Sequence, residues 1–289
     1  MKIKVLIPLF NDWQSLFKLL ENIDHQIFNL DAIISIVVVN DGSTEKAPNN
    51  FPGFSNINSI KIINLKRNVG HARSIATGLK FILENDSFDY VIPMDSDGED
   101  RPEEIKDLIK KLETESNLPI VCERIKRSEG TFFKLCYFLH KLITVTFTGR
   151  SIRFGNYTCI PKEVVRKMSK EKATWSSFSG ALTKISKNKI GVPSERGIRY
   201  FGPSKMSFKN LIIHSLAIVA VFKISVLIRS ILFFFVYLFL IHEKISAITL
   251  IPLLLLIVFN LLVFLISKRE NLENYSNSNQ NIFDVKVIK

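Results

Sequence analysis

Short apolar runs alternate with helically spaced segments through the first 123 residues. Ile3–Pro8 is apolar, and Trp13–Ile27 carries hydrophobic positions at helical spacing behind Asn11 and Asp12, residue types that cap helices. Ile33–Val39 is rich in β-branched residues and ends in the turn Asn40-Asp41-Gly42-Ser43. Ile60–Leu65 predicts a strand, Asn68–Leu83 a helix and Tyr90–Met94 a short strand. Pro102–Leu112 predicts a helix with proline in its first turn. This rhythm predicts an α/β domain with a mostly parallel sheet. Ligands of such sheets bind beyond the carboxyl ends of the strands. Polar clusters fall there: Asn11/Asp12, Asp41, and Asp95, Asp97, Glu99 and Asp100.

The far end of the chain is different. Ile224–Ile241 is apolar except for Arg229, and Ile245–Ser267 carries no charge. A helix of roughly 20 apolar residues spans a bilayer core, so both segments predict transmembrane helices. Only His242, Glu243 and Lys244 separate them, which makes a hairpin with both ends on one side. Lys268 and Arg269, with the basic residues before the first span, put that side in the cytoplasm. Phe208–Phe222 interleaves Lys209, Asn210, His214 and Ser215 with apolar residues. It reads as an interfacial helix, or alternatively as an extension of the first span. Phe132–Phe147 has helical spacing and reads as core or interfacial. The Asn-rich tail from Glu270 predicts disorder. The opening MKIKVLIPLFND reads as a buried strand rather than a signal peptide, which leaves the first domain in the cytosol. The predicted boundaries are 1–206 for the cytosolic domain, 207–223 for the interfacial helix, 224–267 for the hairpin (spans 224–241 and 245–267) and 268–289 for the tail.

Charge sharpens this division. Residues 1–123 hold 13 Lys/Arg against 19 Asp/Glu, residues 124–210 hold 19 against 4, and the remainder 7 against 4, within a net +12. An acidic front half is followed by a strongly basic stretch. That stretch carries no nucleic-acid-binding motif, and beside two spans it suits anionic lipid, so no nucleic acid is expected as a partner. Cys122, Cys136 and Cys159 lack zinc spacing and read as reduced thiols.

Four carboxylates crowd MDSDGED directly after an apolar strand. They repel one another unless a cation compensates them. Hard oxygen donors with no His or Cys nearby in the sequence favour Mg2+ or Mn2+ over zinc, and such an ion would stabilise a diphosphate leaving group. GHARSIATG is not GxGxxG, so a dinucleotide site is disfavoured. His71 and Arg73 behind Gly70 either meet phosphate or simply begin a surface helix.

Taken together, IPLFND (Ile7–Asp12), VVVNDGS (Val37–Ser43), RNVGHARSIATGL (Arg67–Leu79), MDSDGEDRPEE (Met94–Glu104) and ERGIRYFGPSKMSFKNL (Glu195–Leu211) resemble glycosyltransferase family 2 with the GT-A fold. The last segment and the hairpin point to the polyprenyl-phosphate glycosyltransferase branch. The resemblance implies that Pro8, Phe10, Asp12 and Asp41 line the nucleotide pocket. Asp95 and Asp97 match the DxD pair, Asp97 being the more direct metal ligand, and Glu99 completes the metal shell. Arg124 and Arg127 are candidates for the donor diphosphate or acceptor phosphate, and Arg199, Ser204 and Lys205 for the acceptor phosphate. There are two departures. Asn40 stands where the family's first Asp of Asp-Asp-Gly-Ser is usual, and Asn156, in Gly-Asn-Tyr-Thr, stands where Gly-Asp-Phe-Arg is common. Asn156 cannot act as a base. A phosphate acceptor, with its second pKa at about 6, is already an oxyanion at neutral pH and tolerates that loss.

The implied activity is transfer of one sugar, with inversion, from a UDP- or GDP-sugar to a polyprenyl phosphate. It would be metal-dependent, on the cytoplasmic face, and serve cell-envelope glycans. A second copy of the chain and a flippase are the implied protein partners. The alternatives are a processive polysaccharide synthase, disfavoured by the missing Gln-x-x-Arg-Trp motif, and a non-catalytic membrane scaffold, against which the intact Asp41, Asp95 and Asp97 argue.

Overall fold

The computed structural model describes residues 1–48, 51–126, 131–203 and 207–289. Its elements are β1 (Lys2–Leu9), α1 (Trp13–Gln26), β2 (Ile33–Asn40), β3 (Ser59–Leu65), α2 (His71–Asn85), β4 (Tyr90–Pro93), α3 (Ile105–Leu112), β5 (Ile120–Lys126), α4 (Thr131–Thr148), β6 (Phe154–Pro161), α5 (Lys162–Ser169), α6 (Phe178–Ile185), β7 (Ile190–Glu195), α7 (Phe208–Ala220), α8 (Lys223–Ile241), α9 (Ala247–Ser267), α10 (Leu272–Ser276) and β8 (Ile282–Val287). They divide into two compact units. The first comprises Met1–Ser128, Arg153–Lys205 and Asn271–Lys289; the second comprises Glu129–Ile152 and Met206–Glu270.

The first unit is built on one sheet in the order β7-β5-β6-β4-β1-β2-β3-β8. β4, β1, β2 and β3 are mutually parallel, β6 runs antiparallel to both β4 and β5, and β8 is antiparallel to β3. The alternating pattern of the sequence maps directly onto this arrangement. β1 and β2 are buried on both faces, as strands covered by crossover helices must be. Ile3, Val5, Ile7 and Leu9 pack with Leu16, Leu19, Leu20 and Ile23 of α1. The opposite face receives α2, where a Cβ at Gly78 would collide with the side chains of Leu6 and Val39. Only glycine lets the helix lie that close to the sheet.

Two sequence expectations are corrected here. The tail is not disordered: α10 and β8 fold onto the first unit, and β8 extends the sheet at its β3 edge. Tyr275 is fully buried, stacks on Trp175 with ring centroids 5.7 Å apart, and shares a cluster with Ala76 of α2. Asn279 donates to Glu84 at 2.6 Å, and the Lys80 ammonium donates to the Ser276 carbonyl. One buried aromatic thus anchors a segment whose composition looks unstructured. The predicted span 1–206 is also interrupted: a break does fall between Lys205 and Met206, but α4 groups with the apolar helices of the second unit and not with the sheet.

Within the second unit, α8 and α9 are long and apolar enough to cross a membrane, and only 11% and 17% of their most apolar windows are buried. A core helix of a soluble protein would be mostly covered. Ser246 caps α9 through a reciprocal capping box with Thr249, so the helix begins at Ala247, two residues after the predicted start. Asn260 of α9 donates to Ser230 of α8 at 2.9 Å. Arg229 donates to the Thr146 carbonyl of α4 at 3.1 Å, which gives its charge a partner that the sequence did not disclose. The helix expected over 208–222 forms as α7.

Tyr275→Ala is expected to lower the stability of the first unit by about 3 kcal/mol, because it empties a closed aromatic site. Tyr275→Phe should be near neutral, since the buried hydroxyl has no hydrogen-bond partner among the described residues. Denaturant unfolding followed by near-ultraviolet circular dichroism measures both.

Candidate active site

Three loops meet at the carboxyl ends of β1, β2 and β4. Asn11 adopts a left-handed conformation (φ 50°), and its side-chain oxygen accepts the amides of Thr44 (2.9 Å) and Glu45 (3.1 Å). Its own amide donates to the Ser43 hydroxyl at 2.9 Å. Asn11 therefore ties the β1 loop to the β2 loop. Neither it nor Asp12 donates or accepts a side-chain cap for α1. Asp41 is buried, and its carboxylate accepts the amides of Val69 (2.7 Å) and Gly70 (2.9 Å). Burial pushes its pKa up, and these bonds oppose that rise. Asp41 thus braces the loop entering α2 and faces away from open solvent. Pro8 is buried within β1, whereas Phe10 is exposed at the rim.

The acidic turn after β4 is compensated by cations from several parts of the chain. The His71 imidazole meets Asp95 at 2.9 Å, and the Asn156 side chain lowers the Asp95 pKa. Burial would raise the Asp95 pKa, but His71, Arg124 and the Asn156 amide hold it at about 2. Asp97 receives Arg199 at 2.6 Å, and the same guanidinium also pairs with Asp12. Glu99 pairs with Arg196. Buried Asp100 accepts the Asp95 amide at 2.9 Å and lies 3.4 Å from Arg124. Burial and the Asp95 charge push Asp97 up to about 6 and Asp100 up to about 7. The crowded carboxylates resist full ionisation even with these arginines in place.

Residues 196–200 lie across this turn. Gly197 donates its amide to the Glu99 carbonyl and Tyr200 to the Asp97 carbonyl, each at 2.9 Å. A Cβ at Gly98, where φ is 88°, would stand 2.5 Å from the Tyr200 ring. Behind the turn, Glu104 accepts the Ser194 hydroxyl at 2.7 Å and the Glu195 amide at 2.9 Å, fixing the end of β7.

The structure thus brings together Asp12, Asp95, Asp97, Glu99, Arg124, Asn156 and Arg199 from the sequence-predicted set. Arg127, Ser204 and Lys205 lie outside the described residues. Sequence reasoning assigned no role to Arg196, Tyr200 or the bracing by Asn11, although Arg196 and Tyr200 sit in the ERGIRYFG motif it quoted. Among the described residues, no three His, Cys, Asp or Glu side chains gather as a metal cage. The carboxylates suit a cation shared with substrate oxygens instead, and Arg199 between Asp12 and Asp97 is a stand-in that demonstrates their affinity for positive charge. A cavity of about 580 Å³ beside Phe51, Pro52, Phe54 and Val287 contains none of these acids.

The model of the family described as glycosyl transferase family 2 matches residues 4–164, more than half of the chain. The chain belongs to glycosyl transferase family 2. Undecaprenyl-phosphate 4-deoxy-4-formamido-L-arabinose transferases of Proteus mirabilis and Photorhabdus laumondii are 27% and 28% identical to it over 219 residues. The match takes in 73% of this chain but 64% and 65% of theirs, so the chain spans just under two thirds of the length of these relatives. Among solved structures, glucosyl-3-phosphoglycerate synthase of Mycobacterium tuberculosis, with Mn2+, UDP-glucose and phosphoglyceric acid, aligns with a TM-score of 0.56 at 14% identity, covering 78% of this chain and 79% of that one. Mannosyltransferase PcManGT of Pyrobaculum calidifontis, with GDP-mannose and Mn2+, gives 0.51 at 14% identity, covering 96% and 86%. These likenesses establish the GT-A fold. In this family 2 chain, the matched range holds the β1, β2 and β4 loops, whereas Arg196 and Arg199 come from beyond it.

Asp41→Ala removes the acceptor of two amides at once and should cost about 2–4 kcal/mol of stability. Asp41→Asn, which keeps one acceptor oxygen, should cost about half as much. Urea unfolding reads the difference, and hydrogen exchange should accelerate at Val69 and Gly70.

Proposed function

We propose that this chain is a membrane-anchored inverting glycosyltransferase that moves one sugar from a nucleotide-sugar donor to a polyprenyl phosphate on the cytoplasmic face. The observation that carries the reading is the cation grip at the carboxyl ends of the sheet, where Asp12 and Asp97 hold one guanidinium next to Asp95. Family membership, the undecaprenyl-phosphate transferases among its relatives and the two exposed apolar helices support it.

Asp97 and Asp95 would hold Mg2+ or Mn2+, with Glu99 adding a further oxygen once Arg196 turns away. When bound, the ion supplies charge stabilisation to the departing nucleoside diphosphate. Arg199 has to release Asp97 before a divalent ion shares that carboxylate, and its charge then becomes available to phosphate. Arg124 compensates Asp100 and Asp95 from behind, keeping Asp95 ionised. Exposed Phe10 offers an apolar face to the nucleotide at the rim. An acceptor phosphate oxygen, ionised at neutral pH, attacks the anomeric carbon in line with the leaving diphosphate and inverts it. Asn156 helps keep Asp95 ionised and moves no proton, so positioning rather than base catalysis drives the step. Arg127, Ser204 and Lys205 are proposed for the acceptor phosphate, and anionic lipid for the basic stretch. A flippase is the proposed downstream partner.

The decisive assay incubates the purified chain with labelled UDP- and GDP-sugars, Mn2+ and undecaprenyl phosphate, then counts label in the lipid fraction. Label should enter lipid from at least one donor, and Asp97→Asn should lower the rate about 100-fold or more. No incorporation across the panel, or full activity in the variant, would sink the proposal; water-soluble polymer would favour the synthase.

A further inference from the structure

We infer that β8 is a self-pairing edge through which two copies of this chain join their sheets, antiparallel and centred on Val285. β8 ends the strand order, and its outer edge is unpaired among the described residues. Ile288 donates its amide to the Ile60 carbonyl at 2.9 Å, so by two-residue alternation Lys286 and Asp284 turn their backbones toward β3. Val285 and Val287 then present N–H and C=O groups outward. Their side chains and that of Phe283 are exposed at 39%, 67% and 74%, an apolar row along an open edge.

Proteins usually blunt such an edge with charge, and Lys286 would repel most approaching strands. The register of self-pairing removes that obstacle. With Val285 opposite Val285 of a second copy, Asp284 faces Lys286 of that copy and Lys286 faces its Asp284. Phe283 lies opposite Val287. The sequence Phe-Asp-Val-Lys-Val is thus complementary to itself about a two-fold axis in both charge and apolar contact, which is what an isologous interface requires. A partner of another sequence would have to reproduce this register by chance, so a second copy is the occupant that the charges select. None of these residues belongs to the acidic groove, and the inference stands independently of the transferase reading.

Sedimentation equilibrium of the full chain in detergent micelles tests it. The wild-type chain should dimerise. Val285→Pro removes an outward amide without touching the β3 ladder and should leave a folded monomer whose thermal midpoint no longer rises with protein concentration, as that of the dimerising wild type does. Lys286→Glu sets like charges opposite one another and should weaken the dimer about tenfold at low salt, with recovery at high salt. A wild-type monomer at every concentration would overturn the inference, as would a dimer indifferent to both substitutions.

Discussion

Four carboxylates within six residues cannot all be charged, close together and half-buried without cations, and much of the first unit is arranged around that constraint. His71 comes from the start of α2, Arg124 from β5, and Arg196 and Arg199 from the segment after β7. Each brings a different part of the chain to the end of β4. The turn therefore organises the loops as much as they position it. The pKa pattern shows how close the balance lies: Asp95 is held at about 2, while Asp97 and Asp100 are pushed to about 6 and 7. A site poised in this way gains from any further cation that reaches it, which is the property a metal–diphosphate ligand exploits.

What the sequence disclosed follows from which forces are local. Strands buried on both faces read as continuous apolar runs, so the order of β1, α1, β2, β3, α2 and β4 was legible from periodicity. The hairpin was legible because Ile245–Ser267 lacks charge. The acidic turn was legible as a demand for cations, but not which cations would meet it. Arg199 lies 102 residues from Asp97 and 187 from Asp12. Nothing local to either acid marks that pairing. The tail was misread for a similar reason: its polar composition outweighed Tyr275, whose partner Trp175 lies a hundred residues earlier, and Phe283–Val287, whose partner strand lies more than two hundred residues away. The helical pattern around Phe132–Phe147 was visible, but periodicity shows which face is apolar and not which unit buries it.

The two departures from the family motifs gain a physical reading from these same bonds. Asn156 lowers the Asp95 pKa, where a carboxylate would have set a further negative charge against the turn. The reading fits an acceptor that needs no base, since an amide at this position helps keep Asp95 ionised.

Asn40 belongs to a longer chain of bonds. Its amide donates to the Asn64 oxygen at 2.8 Å, and the Asn64 amide donates in turn to Asp284 of β8. Asp284 can only accept, so every donor in this row must point the same way across β2, β3 and β8. An aspartate at position 40 would be a second acceptor at the other end, leaving Asn64 to satisfy two carboxylates with one amide. Asn40 thus matches the tail strand through the amide row, while the neighbouring Asp41 keeps its separate task under α2. On this argument the residue at position 40 is matched to Asp284 of the eighth strand through the Asn64 amide between them.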